Sequence, residues 1–243
     1  MHPCRGARAA LPAPLTVMRN TEKRAASLLK LPLNKVADHV NRVLDRIPFV
    51  QTNFILGLDS DRGAAPFELT KRFIDLTPGA YPAFSLFTCY GRASPLNLEL
   101  QRAGRVNAMP FHFLDSNHGM NIVPLNYEWP EFYDLVADLT RHALGMRGTV
   151  RRFAANRGIT ARLFNLFRGL TTGRPRYQAA MARRLREEPA LLAFLNGETR
   201  ALSPLFEAKI RSDLGAFWDA LPPDALDHDQ NAYLASQPAV AAE

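Results

Sequence analysis

Two cysteines in 243 residues exclude a disulfide scaffold. Cys4 and Cys89 stand 85 positions apart and do not alone supply the three or four ligands of a zinc site or a cysteine-held cluster. They read as a tail thiol and a buried thiol of a reducing compartment, so the expected location is the cytoplasm. No stretch of 18 apolar residues occurs, which excludes a hydrophobic membrane-spanning helix. There is no GxGxxG or Walker-type phosphate loop and no GxSxG nucleophile elbow, so those routes to nucleotide binding and hydrolysis are closed. The first twenty residues contain no acid, but Pro3, Pro12 and Pro14 spoil an amphipathic targeting helix and no apolar h-region follows. Residues 1–31 are expected to be a disordered or fortuitously translated leader, with Met18 an equally good start.

The remainder has an ordinary globular composition, 47% hydrophobic and 22% charged, with a formal net charge of +7. At about 150 residues per domain the length suits one large or two small domains. Asn34 is placed to cap a helix over Lys35 to Ile47, which Pro48 stops. Phe49 to Leu58 is β-rich and apolar on both parities, the pattern of a strand buried on both faces in a parallel sheet. A polar loop, Asp59 to Gly63, leads to a helix opened by Pro66 and ended by Pro78-Gly79. The cycle repeats with a strand over Ala83 to Tyr90, a loop at Gly91 to Ala93, and a Ser94-capped, Pro95-opened helix that Gly104 closes. Short extended pieces are expected at Arg105-Val106 and at Phe111 to Asp115. Beyond residue 127 the pattern is helical: one helix from Pro130, then roughly 159–169, 175–195 and 204–220. The expected fold class is α/β followed by all-α, with a soft boundary near 127.

Ligands of parallel βα folds bind at the carboxyl ends of strands. The first such end is Asn53 to Asp61. There Gly57 admits a close backbone approach, and Asp59 and Asp61 either accept hydrogen bonds from a ribose or an amine or simply build a strand-terminating turn. The second end offers Arg92 for a carboxylate or phosphate. The third brings His112, Asp115 and His118, whose spacing favours a hydrogen-bonding loop over a metal site. Between Leu139 and Arg186 lie twelve arginines and no acid, whereas Ser212 to Glu243 has acids and no Lys or Arg. A basic helical module for RNA or an acidic protein is therefore an alternative, with Phe164, Phe167 and Tyr177 available for stacking. Helical spacing instead assigns Leu163, Leu166, Phe167 and Leu170 to a core, leaving basic solvated helices.

The run FVQTNFILGLDSDRG resembles a strand of the radical S-adenosylmethionine (radical SAM) family that ends in an I-x-G turn and enters a helix. Ser94-Pro95-Leu96, Glu99, Leu100, Gly104 and Arg105 resemble its T/S-P-L-x-x-E-L-x-x-x-G-R element, and PFHFLDSNHGMNIVPLNYEWPEFYDLV resembles the segment that follows. The likeness spans roughly Pro48 to Leu139 and is nearest to bacterial members with an upstream cobalamin-binding domain. It implies the later part of a parallel (β/α) barrel over 32–127, followed by a helical extension over 128–243 with an acidic tail. It implies S-adenosylmethionine and a 4Fe–4S cluster as cofactors of an intact enzyme, with cobalamin in the parent, and Asn53, Gly57 and Asp59 at the edge that cradles the adenosyl group. The family's C-x3-C-x2-C cluster motif is absent from these residues, so the chain is expected to be a carboxyl-terminal fragment that holds no cofactor alone and starts no radical chemistry. Its open half-barrel is expected to pair with a missing amino-terminal half or with itself.

Overall fold

The computed structural model describes residues 32–89, 94–107, 109, 119–199 and 201–222. Arg92, His112, Asp115, His118, Cys4 and the extended piece at 111–115 lie outside them. The described chain is mostly helical around a two-stranded parallel sheet. This agrees with α/β followed by α; the described residues form no closed barrel.

Helix α1 (Leu33–Leu44) starts one residue before the expected cap, because Pro32 takes the N-cap position and its carbonyl accepts from Lys35 N–H at 2.8 Å. Strand β1 (Gln51–Leu56), helix α2 (Ala65–Leu76) and strand β2 (Tyr81–Leu86) form a βαβ unit in the register Gln51↔Tyr81 to Leu56↔Leu86. Helix α3 (Pro95–Arg102) then ends in a Schellman arrangement. Gly104 sits at φ +64°, its N–H donates to Gln101 O at 2.9 Å, and Arg105 N–H donates to Leu100 O at 3.1 Å. The extended piece at Arg105-Val106 exists, but it bridges Ile122 antiparallel, so it does not extend the sheet as a parallel strand.

The second part is built from α4 (Trp129–Leu144), α5 (Met146–Ala155), α6 (Ile159–Thr171), α7 (Arg174–Glu187), α8 (Pro189–Leu195) and α9 (Pro204–Leu214), then a short 3-10 helix, Gly215–Ala220. Proline occupies the first turn of α2, α3, α4, α7, α8 and α9, where its missing N–H costs nothing. The segment expected as one helix over 175–195 breaks at Glu188-Pro189. Helix α5, which the arginine-rich sequence does not announce, begins where extended Gly145 ends α4.

One core cluster runs from Leu56, Phe67 and Phe84 through Phe132, Tyr133 and Leu139 to Leu185, Phe194 and Phe206. It covers one face of the sheet, where Phe54 stacks on Phe84 at 5.8 Å and meets Phe73 edge-on at 5.8 Å. The other face of β1 corrects the expectation of a doubly buried strand: Gln51, Asn53 and Ile55 are exposed, Ile55 by 56%. Phase explains this, since alternate side chains point to opposite faces and the helices α2 and α4 pack only on the Phe54–Leu56 side.

Candidate functional site

The carboxyl end of β1 is held by its own chain. Gly57 has φ +84°, a left-handed conformation that penalises any side chain. A Cβ built there would lie 3.0 Å from Phe132 Cζ and 3.1 Å from Met120 Cε, both fully buried. The close approach that this glycine permits here is that of α4's Phe132 and of Met120. Asp61 Oδ2 accepts from the Gly57 and Leu58 amides at 3.2 and 3.1 Å. Its carboxyl is raised above the ordinary aspartate range, burial outweighing those amide bonds.

Asp59 faces Arg105. The two guanidinium nitrogens donate to its two oxygens at 2.8 and 2.7 Å, with the side chains only 15% and 18% exposed. Arg105 also donates to Val123 O at 3.0 Å through Nη2 and at 3.3 Å through Nε. Asn126 Nδ2 donates to the carbonyls of Asp59 and Asp61 at 2.8 and 3.0 Å, and Tyr127 O–H donates to Gly63 O at 2.9 Å. Candidate residues from one loop are thus tied by Arg105, Asn126 and Tyr127, three side chains not singled out as site residues in the sequence. Arg105 had a signal, as the last residue of the Gly104-Arg105 element, and Asn126-Tyr127 lies within the PLNYEW run.

Asn53 is separated from this cluster. It lies mid-strand on the exposed face of β1, and its Oδ1 accepts from Gln51 Nε2 at 2.9 Å. Tyr81 N–H donates to Val50 O and Phe87 N–H to Leu56 O, both at 2.9 Å. Even-numbered residues of β1 therefore turn their backbone groups to β2, and Gln51, Asn53 and Ile55 turn theirs to the outer edge. No strand among the described residues pairs with that edge. The amino end of the exposed face is covered by α6, where Arg168 lies 3.5 Å from the Tyr81 ring centre, donates to Gln51 Oε1 at 3.1 Å, and neighbours the Phe49–Phe164 edge contact at 5.0 Å.

Cys89 is fully buried, and burial pushes its thiol up to about 11. Among the described residues no group of three or more His, Cys, Asp or Glu side chains gathers as metal ligands. This donor set does not fit a 4Fe–4S cluster. With Gly57 under Phe132 and Asp59 held by Arg105, Asn53 alone of the three cradle residues presents its side chain to open space. A cleft of about 620 Å³ lies at the opposite, amino-terminal end of the sheet, beside Pro48, Asp75, Gly79 and Arg157. That is the wrong end for a ligand site of a parallel βα unit.

At least half of the twelve-arginine block is engaged within the fold, Arg168 among them. Arg151, Arg157, Arg184 and Arg186 pair with Asp75, Asp45, Glu188 and Asp134. Arg152 is 2% exposed, donates to Ala143 O at 3.0 Å, and is pushed down to about 10 by burial. Leu163, Phe167 and Leu170, assigned to a core from their spacing, are instead 55%, 66% and 54% exposed. Helix α6 buries its opposite side through Ala161 and Asn165, with Gly169 closed against Thr149 of α5. Among the described residues no helix is long and apolar enough to cross a membrane. No family model, curated protein or solved structure matches the chain.

Proposed function

We propose that the chain is the carboxyl-terminal wall of a radical SAM barrel with a helical extension. The parent reaction on this reading is reductive cleavage of S-adenosylmethionine and radical modification of a substrate. On this reading the chain contributes structure to that reaction without initiating it, since its two cysteines fall short of the three thiolates of a C-x3-C-x2-C motif. One observation carries the reading: the two sequence elements behind the resemblance meet in space. The turn Gly57-Leu58-Asp59 and the element Gly104-Arg105 are joined by the bidentate Asp59–Arg105 pair across 46 residues. The outer edge of β1, with Asn53 and Ile55 exposed, supplies the place where a preceding barrel strand would add.

Asn53 is the residue proposed to face the adenosyl group once the barrel is complete; Gly57 and Asp59 shape the turn beneath it. The alternative, a basic module for RNA or an acidic protein, needs a continuous run of arginines at liberty, and at least six of the twelve are paired, buried or stacked. The test is to translate the DNA upstream of this chain in every frame and to measure S-adenosylmethionine binding by equilibrium dialysis. A C-x3-C-x2-C segment followed by earlier barrel strands is expected upstream, with no stoichiometric binding by this chain alone. Absence of such a segment, or tight binding by the isolated chain, overturns the proposal.

A further inference from the structure

Helix α6 presents to solvent the face that its sequence would have buried. Ile159, Leu163, Phe167 and Leu170 follow one another at spacings of four, four and three, so they form a single stripe along the helix. Their exposures are 65%, 55%, 66% and 54%. The antiparallel neighbour α5, joined through Thr149 against Gly169 and through Arg162 over Phe153 at 5.8 Å, adds Met146 at 65% and Val150 at 55%. Six large apolar side chains on one helical hairpin is a patch that isolated proteins rarely leave in water.

Charge decides what fits it. The hairpin from Met146 to Thr171 carries Arg147, Arg151, Arg152, Arg157, Arg162 and Arg168 and no acid. Asp75 of α2 and Asp45, the residue that ends α1, reach it from outside, and the Arg157 side chain that pairs with Asp45 remains 81% exposed. With Arg152 buried, Arg151 paired to Asp75 and Arg168 stacked on Tyr81, the exposed Arg147 and the largely exposed Arg157 are the cations the hairpin turns to water. An apolar stripe with such cations at its margin is the pattern of a helix lying in the plane of an anionic bilayer, its apolar side in the acyl boundary and its cations among the headgroups. Nucleic acid would use the charge but leave the aliphatic stripe wet. We propose that the α5–α6 hairpin is a peripheral docking surface for anionic lipid membranes. Anchoring is by Ile159, Leu163, Phe167 and Leu170, with Arg147 and Arg157 against the headgroups. The inference stands on these two helices and does not depend on the barrel reading.

Co-sedimentation of the full chain with vesicles tests it, comparing phosphatidylcholine alone with a mixture containing phosphatidylglycerol. The chain should partition onto the anionic vesicles at least ten-fold more strongly, and raising salt from ~50 mM to ~500 mM should reverse most of that gain. Leu163→Gln with Phe167→Gln should lower partitioning at least ten-fold while circular dichroism and the melting temperature stay unchanged, because both side chains are already in solvent. Arg147→Gln should lower it by roughly five-fold. No sedimentation with anionic vesicles overturns the proposal, as does binding that survives the double substitution. If the double variant instead turns a dimer of the chain into a monomer and vesicles bind neither, the stripe is a protein interface and the lipid proposal falls.

Discussion

Replacing Gly57 by alanine separates a glycine kept for a ligand from one kept for packing. The backbone there sits at φ +84°, which costs a side chain about 1–2 kcal/mol. The new methyl would also press on Phe132 Cζ at 3.0 Å and Met120 Cε at 3.1 Å. Both are fully buried, so neither can swing into solvent, and overpacking adds about 1–3 kcal/mol. The expected total is about 3 kcal/mol, a fall of about 10 °C in melting temperature for a protein of this size. Gly63→Ala is the internal control: φ is +54° and nothing lies within 4 Å of the added methyl. It should cost only the backbone term, about 1 kcal/mol. The unfolded-state gain from losing a glycine is common to both variants and cancels in their difference. Urea unfolding followed by circular dichroism gives the two values. If they agree within about 0.5 kcal/mol, the packing account of Gly57 is wrong.

The Asp59–Arg105 pair should show a coupling energy of about 1–3 kcal/mol in a double-mutant cycle of Asp59→Asn and Arg105→Met. A coupling below about 0.5 kcal/mol would mean the two sequence elements merely adjoin. Asp61 supplies a pH prediction. Its folded-state pKa is raised by burial, so the ionised carboxylate opposes folding above that pKa, and stability recovers as pH falls through it toward the unfolded value. Asp61→Asn keeps an oxygen for the Gly57 and Leu58 amides and removes the buried charge. The variant should therefore be at least as stable as the parent at pH 7, with the difference shrinking as pH drops through the carboxylate range. A variant that is less stable at pH 7 would assign Asp61 a favourable charge interaction.

Local signals in the sequence located most elements because their causes are local. Proline at first helical positions set the starts of α2, α3, α4 and α9, and Gly104 closed α3 as a left-handed cap needs. The Glu188-Pro189 break is equally local, but it sits inside a long helical pattern that runs across it. Helix α5 escaped because an arginine-rich stretch with Gly148 gives a weak periodic signal, and because its burial is completed by Thr149 and Arg152 in place of aliphatic side chains. For the candidate site, sequence could place Asn53, Gly57 and Asp59 at a strand end but not choose their neighbours. Their partners, Arg105, Phe132 and Asn126, come from 46 to 75 residues later in the chain.

Sequence by itself determined the order of strands and helices and the parallel βαβ unit. These depend on residue type and short-range spacing. Tertiary structure alone decided which face of each element is wet. The same periodic pattern that buries Phe54 and Leu56 under α2 and α4 leaves Ile55 exposed, and the apolar stripe of α6 points outward because Ala161, Asn165 and Gly169 allow the closer contact on the other side. Amphipathic periodicity shows that a helix has two unlike faces. Which of them turns inward depends on the size and fit of the partners that the rest of the chain brings against it.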